Sequence, residues 1–158
     1  MKNLLVLIAL VFFTFSGLTT RSQNVVRQVP CNNITIQQQA DSIKANLALA
    51  GFIVIKEASV SMESEYEIPV IVPLTQGSWY QFVFIGDNTS KLYEVRMFDW
   101  NERQVVYQKK MWGDVDGNII RYDYIPQFTE YHMIKPLQVN KKKKKDLCGY
   151  VILLKKVK

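Results

Sequence analysis

From Phe52 onward the sequence repeats one pattern, in which a short apolar segment is followed by a turn signal. The segments recur at intervals of about 8–12 residues, a spacing that is typical of all-β sandwiches and barrels. About eight such segments are present. The sequence therefore predicts a mainly β fold, an antiparallel jelly-roll-like β-sandwich of about eight strands.

Two of the segments also indicate where they lie in the sheets. The segment from Trp79 to Ile85 is almost entirely apolar, which is typical of a central strand that is covered on both faces. The earlier segment from Ile68 to Leu74 contains Pro69 and Pro73. Because proline cannot donate the hydrogen bond that an inner strand needs, we expect this segment at a sheet edge.

One amphipathic helix is predicted before the strands, near residues 36–50. Its apolar residues recur at steps of three and four, which places them on one helical face: Ile36, Ala40, Ile43, Leu47 and Ala50. Thr35 followed by Gln38 matches a capping box, and Gly51 stands where a C-cap is expected. We expect this helix to pack on or beside a sheet.

Residues 1–22 have the layout of a signal peptide. Lys2 precedes an apolar run from Leu4 to Phe15, and small residues follow as far as Ser22. The run is shorter than the roughly 20 apolar residues that a membrane-spanning helix needs. The sequence contains no second long apolar run, so no membrane span is predicted. We expect cleavage after Ser22, a single domain over residues 23–158, and a secreted or periplasmic location. A buried N-terminal helix is the alternative interpretation of the apolar run.

The two cysteines predict one disulfide, between Cys31 and Cys148, because exported proteins meet an oxidising environment. It would tie the N-terminal segment to the last strand and close a loop of more than a hundred residues. A loop of that length corresponds to about 4–5 kcal/mol in the chain-entropy model. Two unpaired structural thiols are the alternative. The spacing fits neither a zinc site nor a C-x-x-C redox pair.

The basic character of the chain is concentrated in one place. The formal net charge of +6 falls to +4 without Lys2 and Arg21, and the run from Lys141 to Lys145 alone supplies five positive charges. A nucleic-acid-binding face would interleave basic and aromatic residues, so no nucleic-acid partner is expected. We interpret the lysine run as a solvated loop, with an anionic docking patch as the alternative.

Three stretches, Gly77–Gly86, Ile125–Tyr131 and Cys148–Ile152, resemble the strands of bacterial pre-peptidase C-terminal-like β-sandwiches. The sequence departs from that pattern at Glu130, where a glycine often precedes the tyrosine, and the N-terminal helix is not part of the common module. The chain as a whole is similar to small exported proteins of the Bacteroidetes. The resemblance implies a noncatalytic module and supplies no catalytic residues.

Aromatic residues form the main candidate binding site. Trp100 ends a predicted strand, Trp112 begins a loop, and Tyr107 lies between them in sequence. Tryptophan and tyrosine exposed on a rigid sandwich would form a platform for sugar rings or for a protein partner. The alternative is that these side chains fill the core and its ends.

A calcium site is the one metal hypothesis, and no other cofactor is expected. Asp114, Asp116 and Asn118 place oxygen ligands at positions one, three and five, as in an EF-hand loop. The match then fails, because Ile119 stands at position six, where the loop requires glycine. An ordinary Asp-Gly turn is the favoured explanation.

Catalytic signals are weak. His132 is the single histidine, and the clustered carboxylates Glu63, Glu65 and Glu67 are the other candidates for a hydrolase. No G-x-S-x-G or H-E-x-x-H motif is present. We therefore expect no catalytic residues and predict an exported noncatalytic binding or accessory module, with an unknown protein or glycan partner at the cell envelope. A small secreted hydrolase and a structural envelope protein are the alternatives.

Overall fold

The computed structural model describes residues 29–115 and 117–157, so the predicted signal peptide lies outside the described residues. These residues form one helix, α1 (Ile34–Leu49), and eight strands. The strands are β1 (Phe52–Met62), β2 (Val70–Leu74), β3 (Tyr80–Ile85), β4 (Leu92–Phe98), β5 (Gln104–Met111), β6 (Ile119–Tyr124), β7 (Glu130–Val139) and β8 (Leu147–Lys156). Within the described ranges, no helix is long and apolar enough to cross a membrane.

The strand pairing defines a jelly roll. Each strand of the first half pairs antiparallel with its counterpart in the second half: β1 with β8, β2 with β7, β3 with β6 and β4 with β5. Two further pairs, β3 with β8 and β4 with β7, complete a first sheet β1-β8-β3-β6 and a second sheet β2-β7-β4-β5. Eight antiparallel strands in two sheets with this order confirm the predicted fold class.

The inner strands of the first sheet, β3 and β8, are covered on both faces. Tyr80, Phe82 and Phe84 of β3 pack in the core between the two sheets. Val83 and Ile85 point to the other face, where they pack with residues of α1. Every residue of β3 is buried, which confirms the predicted central strand. The proline-containing segment forms β2, and β2 lies at a sheet edge as predicted.

Helix α1 begins earlier than the sequence pattern predicts. Asn33, not Thr35, is the N-cap, because its backbone is extended and its side-chain oxygen accepts a hydrogen bond from the Ile36 N–H at 3.2 Å. Gly51 follows the helix with φ = +83°. That left-handed conformation favours glycine and confirms the predicted end of the helix.

The predicted disulfide is confirmed. Cys31 and Cys148 are bonded, with their Cα atoms 5.6 Å apart. Cys31 lies just before α1, and Cys148 belongs to β8, a strand in the interior of the first sheet. The bond therefore anchors the start of the helix directly to the sheet that the helix covers.

A buried polar network closes the sandwich where β3 leads into β4. The fully buried Gln138 accepts hydrogen bonds from the Asp87 N–H at 2.8 Å and from the Ser90 hydroxyl at 3.1 Å. The Asp87 carboxylate in turn accepts from the N–H groups of Thr89 and Cys148, at 3.0 and 3.2 Å. Burial alone would raise the pKa of Asp87, but the hydrogen bonds from Thr89 and Cys148 outweigh it and hold the pKa below its ordinary value.

We predict that replacing Cys31 and Cys148 together with serine lowers the free energy of unfolding by about 2–5 kcal/mol, because the unfolded chain is no longer constrained. Urea denaturation followed by tryptophan fluorescence measures the change. A reducing agent should destabilise the native protein to a similar extent and leave the double variant unaffected. Equal denaturation midpoints for the native protein and the variant would contradict the prediction.

A second prediction concerns Asp87 and pH. Because its folded pKa lies below the unfolded value of 3.8, the ionised carboxylate stabilises the fold above that value, and the contribution is lost as the pH falls through the folded pKa. Asp87→Asn should therefore lower the free energy of unfolding at neutral pH by about 1–3 kcal/mol. The difference from the native protein should shrink in acid. Denaturation curves at several pH values test this, with exposed Asp114→Asn as control, and a constant difference would contradict it.

Candidate binding site at the β4–β5 turn

The turn that joins β4 to β5 is held by one aspartate. The carboxylate oxygen Oδ1 of Asp99 accepts hydrogen bonds from the N–H groups of Asn101 and Arg103, each at 2.9 Å. The other oxygen, Oδ2, accepts from Arg103 Nε at 2.9 Å. Burial alone would raise the pKa of Asp99, but these bonds and the Arg103 charge hold it below its ordinary value. The turn is therefore a well-ordered base for the residues it carries.

Trp100 projects from this turn beside Tyr131 of β7. The two ring centroids are 6.1 Å apart and the ring planes are inclined at 47°. Trp100 is 69% exposed and Tyr131 is 53% exposed. Tyr131 faces outward because inward positions of β7 are taken by buried side chains such as His132 and Ile134.

The two rings form part of a shallow groove of about 220 Å³, which we call the turn groove. Its lining residues come from β2, β7 and the β4–β5 turn: Ile71, Asp99, Trp100, Glu102, Tyr131, His132 and Met133. Glu102 belongs to the β4–β5 turn, where its backbone adopts the left-handed conformation with φ = +60°. The groove therefore combines two exposed aromatic rings with the exposed carboxylate of Glu102.

A second concavity, the loop cleft, lies on the other side of the same turn. It has a volume of about 430 Å³. The β6–β7 loop and the turn supply its polar and aromatic lining, which includes Asp99, Arg103, Tyr124, Gln127, Phe128 and Glu130. Phe128 is exposed there. This end of the sandwich thus carries three exposed aromatic side chains on two neighbouring loops and the adjoining strand.

His132, which lines the turn groove, is only 1% exposed. Its Nε2 atom is 3.1 Å from the Tyr124 hydroxyl and 3.8 Å from a Glu130 carboxylate oxygen. Burial, with the negative charges of Glu130 and Asp99, raises the pKa of Tyr124, so this phenol stays protonated. The arrangement therefore does not activate Tyr124 as a nucleophile.

The three clustered glutamates lie away from His132. Glu67 forms an ion pair with Lys135 at 3.6 Å, and Glu65 forms one with Lys144 at 3.4 Å. The Glu65 N–H donates to the carbonyl of Gln138, which is six residues along β7 from His132 and hence about 20 Å away. The structure does not bring together the histidine and the acidic cluster on which the hydrolase interpretation depends.

The three aromatic residues predicted from the sequence are all exposed but do not form one platform. Trp100 and Trp112 lie at opposite ends of the β4–β5 hairpin, more than about 20 Å apart. Tyr107 lies between them, with its ring 5.9 Å from the Arg96 guanidinium. Tyr131, rather than Tyr107 or Trp112, is the residue brought next to Trp100. Whether any of the three binds a ligand stays a prediction.

The calcium candidates have protein partners. The Asp114 carboxylate accepts a hydrogen bond from the Met111 N–H at 2.7 Å. The Asn118 side chain donates to the Gly86 carbonyl and pairs with Gln39 of α1. Asp116 lies outside the described residues. Over residues 29–115 and 117–157, no three His, Cys, Asp or Glu side chains group to hold a metal, and the calcium site stays a prediction.

Sequence reasoning missed Tyr131, Phe128 and the turn residue Asp99. A local signal for Asp99 was present, because an aspartate at the start of a polar hairpin turn commonly bonds the backbone two residues on. Tyr131 had no comparable signal, because its position beside Trp100 depends on the pairing of β7 with β4.

No protein-family model and no curated protein matches this chain. Among solved structures, it is similar to the K3 cleaved adhesin domain of Lys-gingipain from Porphyromonas gingivalis, with 11% identity over 62% of this chain and 72% of that one, at a TM-score of 0.41. It is also similar to a glycosylation-associated protein complex from Streptococcus agalactiae, with 10% identity over 66% of this chain and 39% of that one, at a TM-score of 0.35.

A third similar structure is an arabinose-bound α-L-arabinofuranosidase, with 12% identity over 69% of this chain and 24% of that chain, at a TM-score of 0.34. At these identities and TM-scores, the comparisons carry no argument about the fold or the function of this chain. The resemblance to pre-peptidase C-terminal-like sandwiches stays a prediction.

We predict that Asp99→Ala loosens the turn without unfolding the sandwich. The N–H groups of Asn101 and Arg103 lose their acceptor, so their hydrogen exchange should accelerate about tenfold or more, the equivalent of one lost hydrogen bond. Exchange measured by NMR at single amides tests this. Amides of the β3 interior serve as the control and should not change. Unchanged exchange at Asn101 and Arg103 would show that the carboxylate does not hold the turn.

Proposed function

We propose that this protein is an exported noncatalytic binding module that recognises a saccharide in the turn groove. The observation that carries the proposal is the exposed Trp100–Tyr131 pair, 6.1 Å apart, on a turn held by Asp99. Large aromatic side chains usually pack in the interior. Two of them exposed side by side on an ordered turn are typical of a binding surface.

The chemistry of the groove suits a sugar ring. A pyranose presents apolar C–H faces, which stack on aromatic rings, and hydroxyl edges, which donate hydrogen bonds to carboxylates. In the turn groove the rings of Trp100 and Tyr131 are inclined at 47° and supply two walls. Glu102 lies at the rim with its side chain exposed, where it can accept from hydroxyls.

The ordered turn also lowers the cost of binding. A flexible loop loses conformational entropy when it closes on a ligand, whereas a preorganised site does not. The Asp99 carboxylate, directly before Trp100, accepts from two backbone N–H groups that follow Trp100 and from the Arg103 side chain, so the turn is fixed before any ligand arrives. We therefore expect the affinity for the saccharide to depend on Asp99, although its carboxylate bonds the turn and not the ligand.

The Asp99 carboxylate favours binding over hydrolysis at this end. A glycosidase requires two carboxyl groups, one of which has a raised pKa so that it can act as general acid. Asp99 has a lowered pKa and is engaged by Arg103.

The disulfide is consistent with an exported protein, because such bonds persist in oxidising compartments. A secreted or periplasmic location is part of the proposal.

A glycan array, followed by calorimetry with the glycans that bind, tests the proposal. Trp100→Ala and Tyr131→Ala should each weaken binding at least about tenfold, as loss of a central aromatic contact does. Trp112→Ala, at the far end of the same hairpin, is the matched control and should bind as the native protein does. Circular dichroism of each variant confirms that the fold is retained.

Other outcomes would redirect the assignment. Release of reducing sugar from a bound glycan would establish the hydrolase alternative. Binding that persists in both the Trp100→Ala and Tyr131→Ala variants would exclude the turn groove as the site. Absence of any glycan ligand would favour a protein partner or a structural role in the envelope.

A further inference from the structure

Three loops meet at the end of the sandwich opposite the turn groove. The Trp112 N–H donates to the Lys91 carbonyl at 2.9 Å, and the Lys91 N–H donates to the Val139 carbonyl at 2.8 Å. These bonds extend the β5-β4-β7 ladder by one row. Because neighbouring strands lie about 4.8 Å apart, the lysine run that begins at Lys141 starts within about 15 Å of Trp112. We call this region the lysine end.

The β5–β6 loop exposes apolar side chains at the lysine end. Trp112 is 62% exposed, Val115 is 86% exposed and Met111 is also exposed. The loop is nevertheless ordered at its base, where the Asp114 carboxylate accepts from the Met111 N–H and the Lys110 ammonium donates to the Val115 carbonyl. The ordered base therefore holds these apolar side chains in an exposed position at the end of the sandwich.

Basic side chains surround these tips. The Lys91 ammonium lies 4.6 Å from the centre of the Trp112 ring. Glu65 and Glu63 pair with Lys144 and Lys145, and Lys110 and Lys143 donate to the carbonyls of Val115 and Asp146. Three other lysines form no ion pair with any described residue: Lys91, Lys141 and Lys142. Counted from the sequence, the lysine end has seven lysines and six acids: Lys91, Lys110 and Lys141–Lys145 against Glu63, Glu65, Asp87, Asp114, Asp116 and Asp146.

We propose that the lysine end docks on an anionic lipid bilayer, with the apolar tips entering the headgroup region and the free lysines contacting lipid phosphates. The small excess of positive charge at the lysine end would not by itself distinguish a bilayer from a soluble polyanion. The exposed tryptophan and valine favour a bilayer over a soluble polyanion, because tryptophan sits preferentially at the membrane interface and polyanions offer no apolar phase. The docking is peripheral and independent of the saccharide site.

Vesicle co-sedimentation of the exported, purified chain tests the proposal. We expect binding to vesicles with about a third phosphatidylglycerol and much weaker binding to pure phosphatidylcholine, because each lysine near an anionic surface contributes about a fivefold factor. Lys141→Gln/Lys142→Gln should reduce the partition coefficient about 25-fold by the same factor. Trp112→Ala/Val115→Ser should reduce it about tenfold or more.

Matched controls separate a docking surface from general charge. Lys56→Gln/Lys155→Gln removes the same number of charges elsewhere on the fold and should leave vesicle binding nearly unchanged. Trp100→Ala removes an exposed tryptophan from the opposite end and should also leave it unchanged. All variants share one N-terminus, so any contribution from residues 1–28 is common to them.

The outcomes are decisive in both directions. Loss of binding in the two lysine-end variants, with retention in the controls, supports the proposal. Equal binding by all variants, or no binding to anionic vesicles, overturns it. Tight binding to soluble dextran sulfate that does not depend on Trp112 would also overturn it and would assign the lysine end to a polyanion. Because the saccharide assay uses Trp100 variants, failure of either proposal leaves the other open to test.

Discussion

The packing of α1 against the first sheet determines which surfaces of this protein remain available. Strand β3 is buried on both faces because the second sheet covers one face and the helix covers the other. The disulfide from Cys31 to Cys148 attaches the start of the helix to that sheet. The inner strands β8 and β3 are therefore closed to partners, whereas the edge strand β1, the second sheet and the two ends of the sandwich keep exposed apolar side chains.

The two ends of the sandwich are stabilised by the same kind of hydrogen-bonded aspartate, but they expose different side chains. At each end an aspartate beside a turn accepts backbone hydrogen bonds, Asp99 after β4 and Asp87 after β3, and in each case those bonds outweigh burial and lower the carboxyl pKa. Asp99 supports an exposed tryptophan. Asp87 instead joins the buried network around Gln138 and so fixes the base from which the lysine loop departs.

Much of the architecture could be predicted because its signals are local. Alternation of apolar residues identified the strands, and two prolines identified the edge strand β2. Two cysteines in a chain predicted to be exported identified the disulfide. The helix start was misplaced by two residues because Asn33 and Thr35 can both cap a helix, and only the backbone conformation distinguishes them. The aromatic site was predicted only in part, since the pairing of Trp100 with Tyr131 arises from β7 lying beside β4.

Trp100 and Trp112 lie at opposite ends of the β4–β5 hairpin, so this hairpin connects the two proposed binding surfaces. Trp100 precedes β5 and Trp112 follows it, yet no described contact joins them. Sites more than about 10 Å apart without shared partners behave additively. A bilayer at the lysine end would therefore leave the turn groove facing away from the lipid, with its affinity unchanged. In that geometry, the length of the sandwich would hold the proposed saccharide site clear of the membrane, and a bulky glycan would reach it without steric conflict with the headgroups.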